Sequence, residues 1–153
     1  MTHFFDHCLS RRIAEALRCL GEDVVHLRHC YPEGQAVEDP EWIDLCGEYG
    51  WAVVTCDGRI RKHSAESEAL EDAGVPSIFI WGGYAMLLKW PQIAWMAKHW
   101  PTIEEALAKA KPGENLHISA VGEVNNYGKW HHEPGHLSGG RKAKKRGEEL
   151  DDD

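Results

Sequence analysis

Among 153 residues the chain has no apolar run near the roughly 20 needed to cross a bilayer, so a membrane span is not expected. Its first residues, MTHFFDH, lack the basic n-region and long apolar stretch of a secretory signal. The five cysteines (Cys8, Cys19, Cys30, Cys46 and Cys56) are odd in number and form no CxxC pair, which disfavours a disulfide framework and points to reduced thiols in the cytoplasm. Positive charge is scarce, with 17 Lys and Arg against 25 Asp and Glu and a net charge of −8, which argues against bulk attraction to nucleic acid, so any such contact has to be local. No DxD follows the first strand, and no Ser-His-Asp or Cys-His spacing supports a covalent nucleophile. The hydrophobic share of 42% and the charged share of 27% fit one globular domain.

The first two-thirds alternate strand and helix signals, the pattern of an α/β fold with a mostly parallel sheet. His3-Phe4-Phe5 is a short strand ending at Asp6. Leu9, Ile13, Leu17 and Leu20 repeat at helical spacing, and Gly21 stands where a C-cap belongs. Val24 to Leu27 is a second strand. Asp39-Pro40 opens the next helix as N-cap acid and first-turn proline, with Trp42, Leu45, Cys46 and Tyr49 as the buried stripe and Gly50 as the stop. Trp51 to Thr55 is a near-continuous apolar run reaching Asp57, as in a central strand covered on both faces. A short helix from about Ser64 to Ala73 leads to a fourth strand, Ser77 to Trp81.

Beyond Gly82-Gly83 the pattern changes. Residues 84–98 read as helix interrupted at Pro91, and Thr102-x-x-Glu105 reads as a capping box opening another helix that Pro112-Gly113 ends. Leu116 to Val121 is a further strand signal. From Tyr127 the chain is polar and glycine-rich and reads as a disordered charged tail. Its His131, His132 and His136 match no zinc spacing, and its basic run Arg141 to Arg146 is followed by an acidic end. The domain is therefore placed at 1–126, with a core over 1–83, a helical extension over 84–126 and a tail over 127–153. Of the seven tryptophans, Trp42, Trp51 and Trp81 fit core or strand-end positions, and Trp90, Trp95 and Trp100 fit lid or interface packing better than base stacking.

In open α/β sheets ligands bind beyond the carboxyl ends of the strands, where strand order reverses. With order 2-1-3-4, Asp6 and Asp57 face each other at that crevice, and Asp39 and Glu41 come off the same edge. Converging carboxylates repel unless a cation neutralises them, and oxygen-only ligation favours Mg²⁺ or Mn²⁺. Each acid also has a local reading: Asp57 as a turn residue before Gly58, Asp39 as a cap, Glu41 as a partner of the helix dipole. Arg11, Arg12, Arg59, Arg61 and Lys62 lie around this edge, placed either to hold a phosphodiester backbone or as a solvated face.

The stretches FFDHCLSRRIAEAL, EDPEW and WAVVTCDGRIRK resemble PIN-like domains, in particular the compact branch grouped with VapC-type toxin nucleases, from Thr2 to about Trp81. The resemblance implies a three-layer fold and a divalent metal held by the acid after strand one, an acid near the second helix start and the acid after the next strand. On this chain those are Asp6, Asp39 (with Glu41 as substitute) and Asp57, and Glu66 and Glu68 are candidates for a fourth acid. It further implies Mg²⁺-dependent endoribonuclease activity, by metal-assisted hydrolysis, and often a paired antitoxin. RNA, an antitoxin protein and a second copy in a homodimer are the partners to be considered. The rival readings are a non-catalytic PIN-like subunit that binds RNA or protein and a metal-dependent phosphohydrolase of small substrates.

Overall fold

The structure, a computed structural model, describes residues 1–56 and 65–127. Six strands form one sheet: β1 (His3–Phe5), β2 (Val24–His26), β3 (Ala52–Cys56), β4 (Ser77–Ile80), β5 (Asn115–Ile118) and β6 (Val124–Asn126). Their spatial order is β2-β1-β3-β4-β5-β6, parallel throughout except for antiparallel β6. The expected 2-1-3-4 order is present, and two more strands extend it. Among the described residues, five α-helices accompany the sheet: α1 (Arg11–Cys19), α2 (Leu27–Cys30), α3 (Asp39–Tyr49), α4 (Ala65–Asp72) and α5 (Lys89–Lys109), with a 3-10 turn over Gly82–Met86. Among the described residues, no helix is long and apolar enough to cross a membrane.

Strand alternation divides the core between the two faces. Phe5, Val54, Ile78 and Ile80 pack with Ile13 and Leu17 of α1 and Met96, Trp100, Ile103 and Leu107 of α5. Phe4, Val53 and Phe79 pack with Trp42, Ile43 and Cys46 of α3 and Leu70 of α4. Helices on both faces explain why β3 reads as an unbroken apolar run, since all five of its residues are buried. Ser10 caps α1 by accepting from Arg12 N at 3.2 Å, and Gly21, at φ 93°, ends the helix in a conformation a side chain would strain.

Several elements differ from their sequence reading for physical reasons. Asp39 is the first residue of α3, and Glu38 occupies the flanking cap position with an extended backbone. The buried face of α3 is Trp42, Ile43 and Cys46, and Tyr49 is left exposed. Leu27 belongs to the short α2, capped by a pair of histidines: His26 Nδ1 accepts from Arg28 N at 2.9 Å, and His29 Nδ1 accepts from His26 N at 3.0 Å. Pro91 falls in the first turn of α5, where its missing N–H costs nothing, and the helix runs on through Pro101. Burial of Met96 and Trp100 before Pro101, and of Ile103 and Leu107 after it, offsets the roughly 3 kcal/mol of an interior proline. Thr102 therefore starts no new helix. Tyr127, read with the tail, is fully buried and stacks on Phe79 at 4.4 Å between ring centroids. The remainder of that tail, residues 128–153, lies outside the described residues.

Candidate active site

Asp6 follows the last residue of β1 directly and is almost fully buried at the carboxyl edge of the sheet. Parallel pairing of Phe5 with Val54 places Thr55 of β3 beside it. The Thr55 hydroxyl donates to Asp6 Oδ2 at 2.7 Å, the Cys8 thiol donates to Oδ1 at 2.9 Å, and Cys8 N reaches Oδ1 at 3.3 Å. Burial pushes the Asp6 carboxyl above its ordinary range, while these donors and the neighbouring His7 pull it back.

Cys8 ties the loop after β1 to the end of β3, because its sulfur accepts from Cys56 N at 3.1 Å. The nearby Cys56 side chain, burial and the charge of Asp6 all raise the proton affinity of the Cys8 thiol. It stays a thiol and so serves as a donor to Asp6.

On the opposite helical layer, Asp39 Oδ1 accepts from the indole Nε1 of buried Trp42 at 3.0 Å. This i, i+3 contact fixes the carboxylate at the start of α3. Glu41 is exposed, and its charge acts on Tyr31 instead. Glu66, in the first turn of α4, is half-buried, and its Oε2 is fully enclosed with no hydrogen-bond partner. Burial, then the charges of Asp6 and Asp39, push its carboxyl up to about 8. Asp6 after β1 and the first turns of α3 and α4, which carry Asp39 and Glu66, all lie at the carboxyl edge of the parallel sheet. Glu68, the other candidate fourth acid, is exposed.

Among the described residues, no three His, Cys, Asp or Glu side chains are grouped tightly enough to hold a metal ion. Asp57, which follows Cys56 at the end of β3, lies outside the described residues, as do Arg59, Arg61 and Lys62. Asp6, Asp39 and Glu66 offer the oxygen donors that a hard divalent cation takes, and Glu66 Oε2 is enclosed without a partner, but the three are not gathered into a ligand set.

Arg11 and Arg12 are exposed at the start of α1. They line a cleft of about 410 Å³ together with His7, Ser10, His26 and Arg28. His26, paired with Phe5 across β1 and β2, and His7, next to Asp6 in the chain, put the cleft beside the buried acid. Its Nε2 donates to Leu9 O at 2.8 Å, because Nδ1 is already engaged as an acceptor. Sequence reasoning missed Thr55, Cys8 and Arg28. Thr55 was within reach, since placing β1 beside β3 in register makes it the neighbour of Asp6. Arg28 gave no signal until α2 replaced the end of a strand.

No curated protein and no solved structure matches the chain. The sequence model of the family described as "PIN like domain" matches residues 1–82, which carry β1 to β4 and the acids described above. That match covers more than half of the chain and agrees with its parallel α/β sheet, so the chain belongs to the PIN-like domain family.

Proposed function

We propose that this chain is a divalent-metal-dependent ribonuclease that hydrolyses RNA phosphodiester bonds. The observation that carries the reading is Glu66: a half-buried carboxyl with one enclosed, unpartnered oxygen, pushed up to about 8 by burial and then by Asp6 and Asp39. Such an arrangement leaves a demand for positive charge that a proton or a cation meets. Asp6, Asp39, Asp57 and Glu66 would hold the ion, with Glu41 less well placed. Mg²⁺ or Mn²⁺ supplies, when bound, a charge that acidifies water and neutralises the phosphate. Thr55 and the Cys8 thiol keep Asp6 oriented, because both of its oxygens have a donor. Trp42 does the same for Asp39. Arg11 and Arg12 on α1, and Arg59, Arg61 and Lys62 after Asp57, would position the RNA backbone. The finer form of this proposal is a VapC-type toxin acting in the cytoplasm and held in check by an antitoxin. A small DNA-binding protein encoded next to it would support that form.

Purified protein incubated with mixed RNA oligonucleotides in Mg²⁺, Mn²⁺ and EDTA tests the reading. Cleavage in the metals and none in EDTA is expected, and equal cleavage in all three removes the metal mechanism. A second reading, a PIN-like subunit that binds RNA without cutting it, is favoured by the spacing of the acids among the described residues. Tight RNA binding with no cleavage in either metal would select it.

A further inference from the structure

The chain as a whole is acidic, yet three arginines line one cleft. Arg11 and Arg12 enter it from the start of α1 and Arg28 from α2. Arg28 Nη1 donates to Pro32 O at 2.7 Å, a bond that holds the side chain in place and leaves its charge unneutralised. Arg12 forms no ion pair among the described residues. Arg11 is different: Nη1 meets Glu33 Oε1 at 2.9 Å and Nε meets Glu15 Oε2 at 3.5 Å.

Among the described residues, Glu33 is the one acid that lines this cleft, and its side chain is 76% exposed. Exposed pairs of this kind contribute little stability and exchange readily. A carboxylate on a guanidinium also has the geometry of a phosphate on a guanidinium, with two oxygens presented to a planar fork. The start of α1, where Ser10 Oγ accepts from Arg12 N, brings the partial positive charge of a helix N-terminus to the same side. His7, on the cleft wall, is the immediate neighbour of Asp6.

We propose that this cleft is a phosphodiester-binding subsite for single-stranded RNA, in which the Glu33 carboxylate holds the place of a backbone phosphate on Arg11 until substrate displaces it. The subsite deepens the ribonuclease reading and rests on it for the identity of the ligand. His7 shares this wall and adjoins Asp6 in the chain, so a strand bound here lies next to the buried acid. Glu33 then acts as a competitor that raises the threshold for binding, in a loop that no part of the acid cluster requires.

Binding of a labelled single-stranded RNA 12-mer, followed by fluorescence anisotropy in EDTA, separates this from cleavage. Relative to wild type, E33Q is expected to bind several-fold more tightly, because the competitor is gone and the chain is otherwise unchanged. R28A and R12A are expected to bind several-fold more weakly, each with a salt dependence shallower by roughly one phosphate contact. Lys109, which pairs with Glu105 near the end of α5, supplies the control, and K109A should bind like wild type. Melting curves confirm that each variant is folded. Unchanged or weaker binding by E33Q, or wild-type binding by R28A, overturns the subsite. Metal-dependent cleavage alongside unchanged binding in every variant would leave the ribonuclease reading standing and remove only the subsite. Altered binding with no cleavage would do the reverse.

Discussion

Thr55 on β3 donates its hydroxyl proton to Asp6 Oδ2 on the neighbouring strand at 2.7 Å, and both residues are almost fully buried. A carboxylate at that depth is costly without donors, so the hydroxyl does two things: it lowers the cost of burial and fixes the direction of the second oxygen. Thr55→Val keeps the shape and removes the donor. The variant is expected to lose roughly 1–3 kcal/mol of stability, read by denaturant unfolding at neutral pH. In the background of Asp6→Asn the same change should cost much less, because the charged acceptor is gone. Equal losses in both backgrounds would mean that the hydroxyl acts through packing alone.

The basic residues after Asp57 provide a second prediction. If Arg59, Arg61 and Lys62 contact RNA phosphates, replacing all three by alanine should flatten the salt dependence of RNA binding by about 2 in logarithmic slope. Thermal stability should hardly move if these side chains serve RNA rather than the fold. A slope equal to that of wild type assigns these side chains to a solvated face.

Much of the fold could be read before any coordinates. The apolar run at Trp51 to Thr55 and the strand ending at Asp6 are signalled by composition and by where each run stops, and their adjacency follows from the rules of open parallel sheets. What escaped depended on partners distant in sequence. Nothing local says that α5 continues through Pro101, since the compensation comes from side chains meeting the sheet. Tyr127 looks like the start of a polar tail until Phe79 is placed beneath it. At the candidate site, Glu66 and Glu68 are indistinguishable in sequence. Their packing separates them: Glu66 is half-buried with an enclosed oxygen, and Glu68 is exposed.

Tyr127 itself marks where the domain can be shortened. Its ring is fully buried against Phe79, so a chain ending at Asn126 should unfold at a clearly lower temperature than one ending at Tyr127. Tyr127→Ala in the full chain should cost about 3 kcal/mol or more, in line with other buried aromatic truncations. Identical melting of the two shortened chains would show that the stacking contributes nothing to stability.

The pH dependence of stability gives the sharpest test of the acid cluster. Glu66 has a folded carboxyl near 8 against an ordinary value of 4.5. Below about 4.5 both folded and unfolded chains carry the proton, and the shift changes nothing. Between 4.5 and 8 the unfolded chain gives up the proton while the folded chain keeps it, or holds an unfavourable charge once it is lost. Stability attributable to Glu66 therefore falls as pH rises through this window and levels off above it. Asp6 is shifted in the same direction, and the buried His3 and His26 in the opposite one, so the wild-type profile alone mixes several groups. The difference between wild type and Glu66→Gln isolates the one that matters. In EDTA the two should be alike near pH 4.5, and by pH 8 the variant should be more stable by an amount on the order of a few kcal/mol. Mg²⁺ at pH 8 should close most of that gap by stabilising wild type, because a cation held by the cluster replaces the missing proton. Parallel profiles from pH 4.5 to 8, unaffected by Mg²⁺, would mean that Glu66 does not share a site with Asp6 and Asp39.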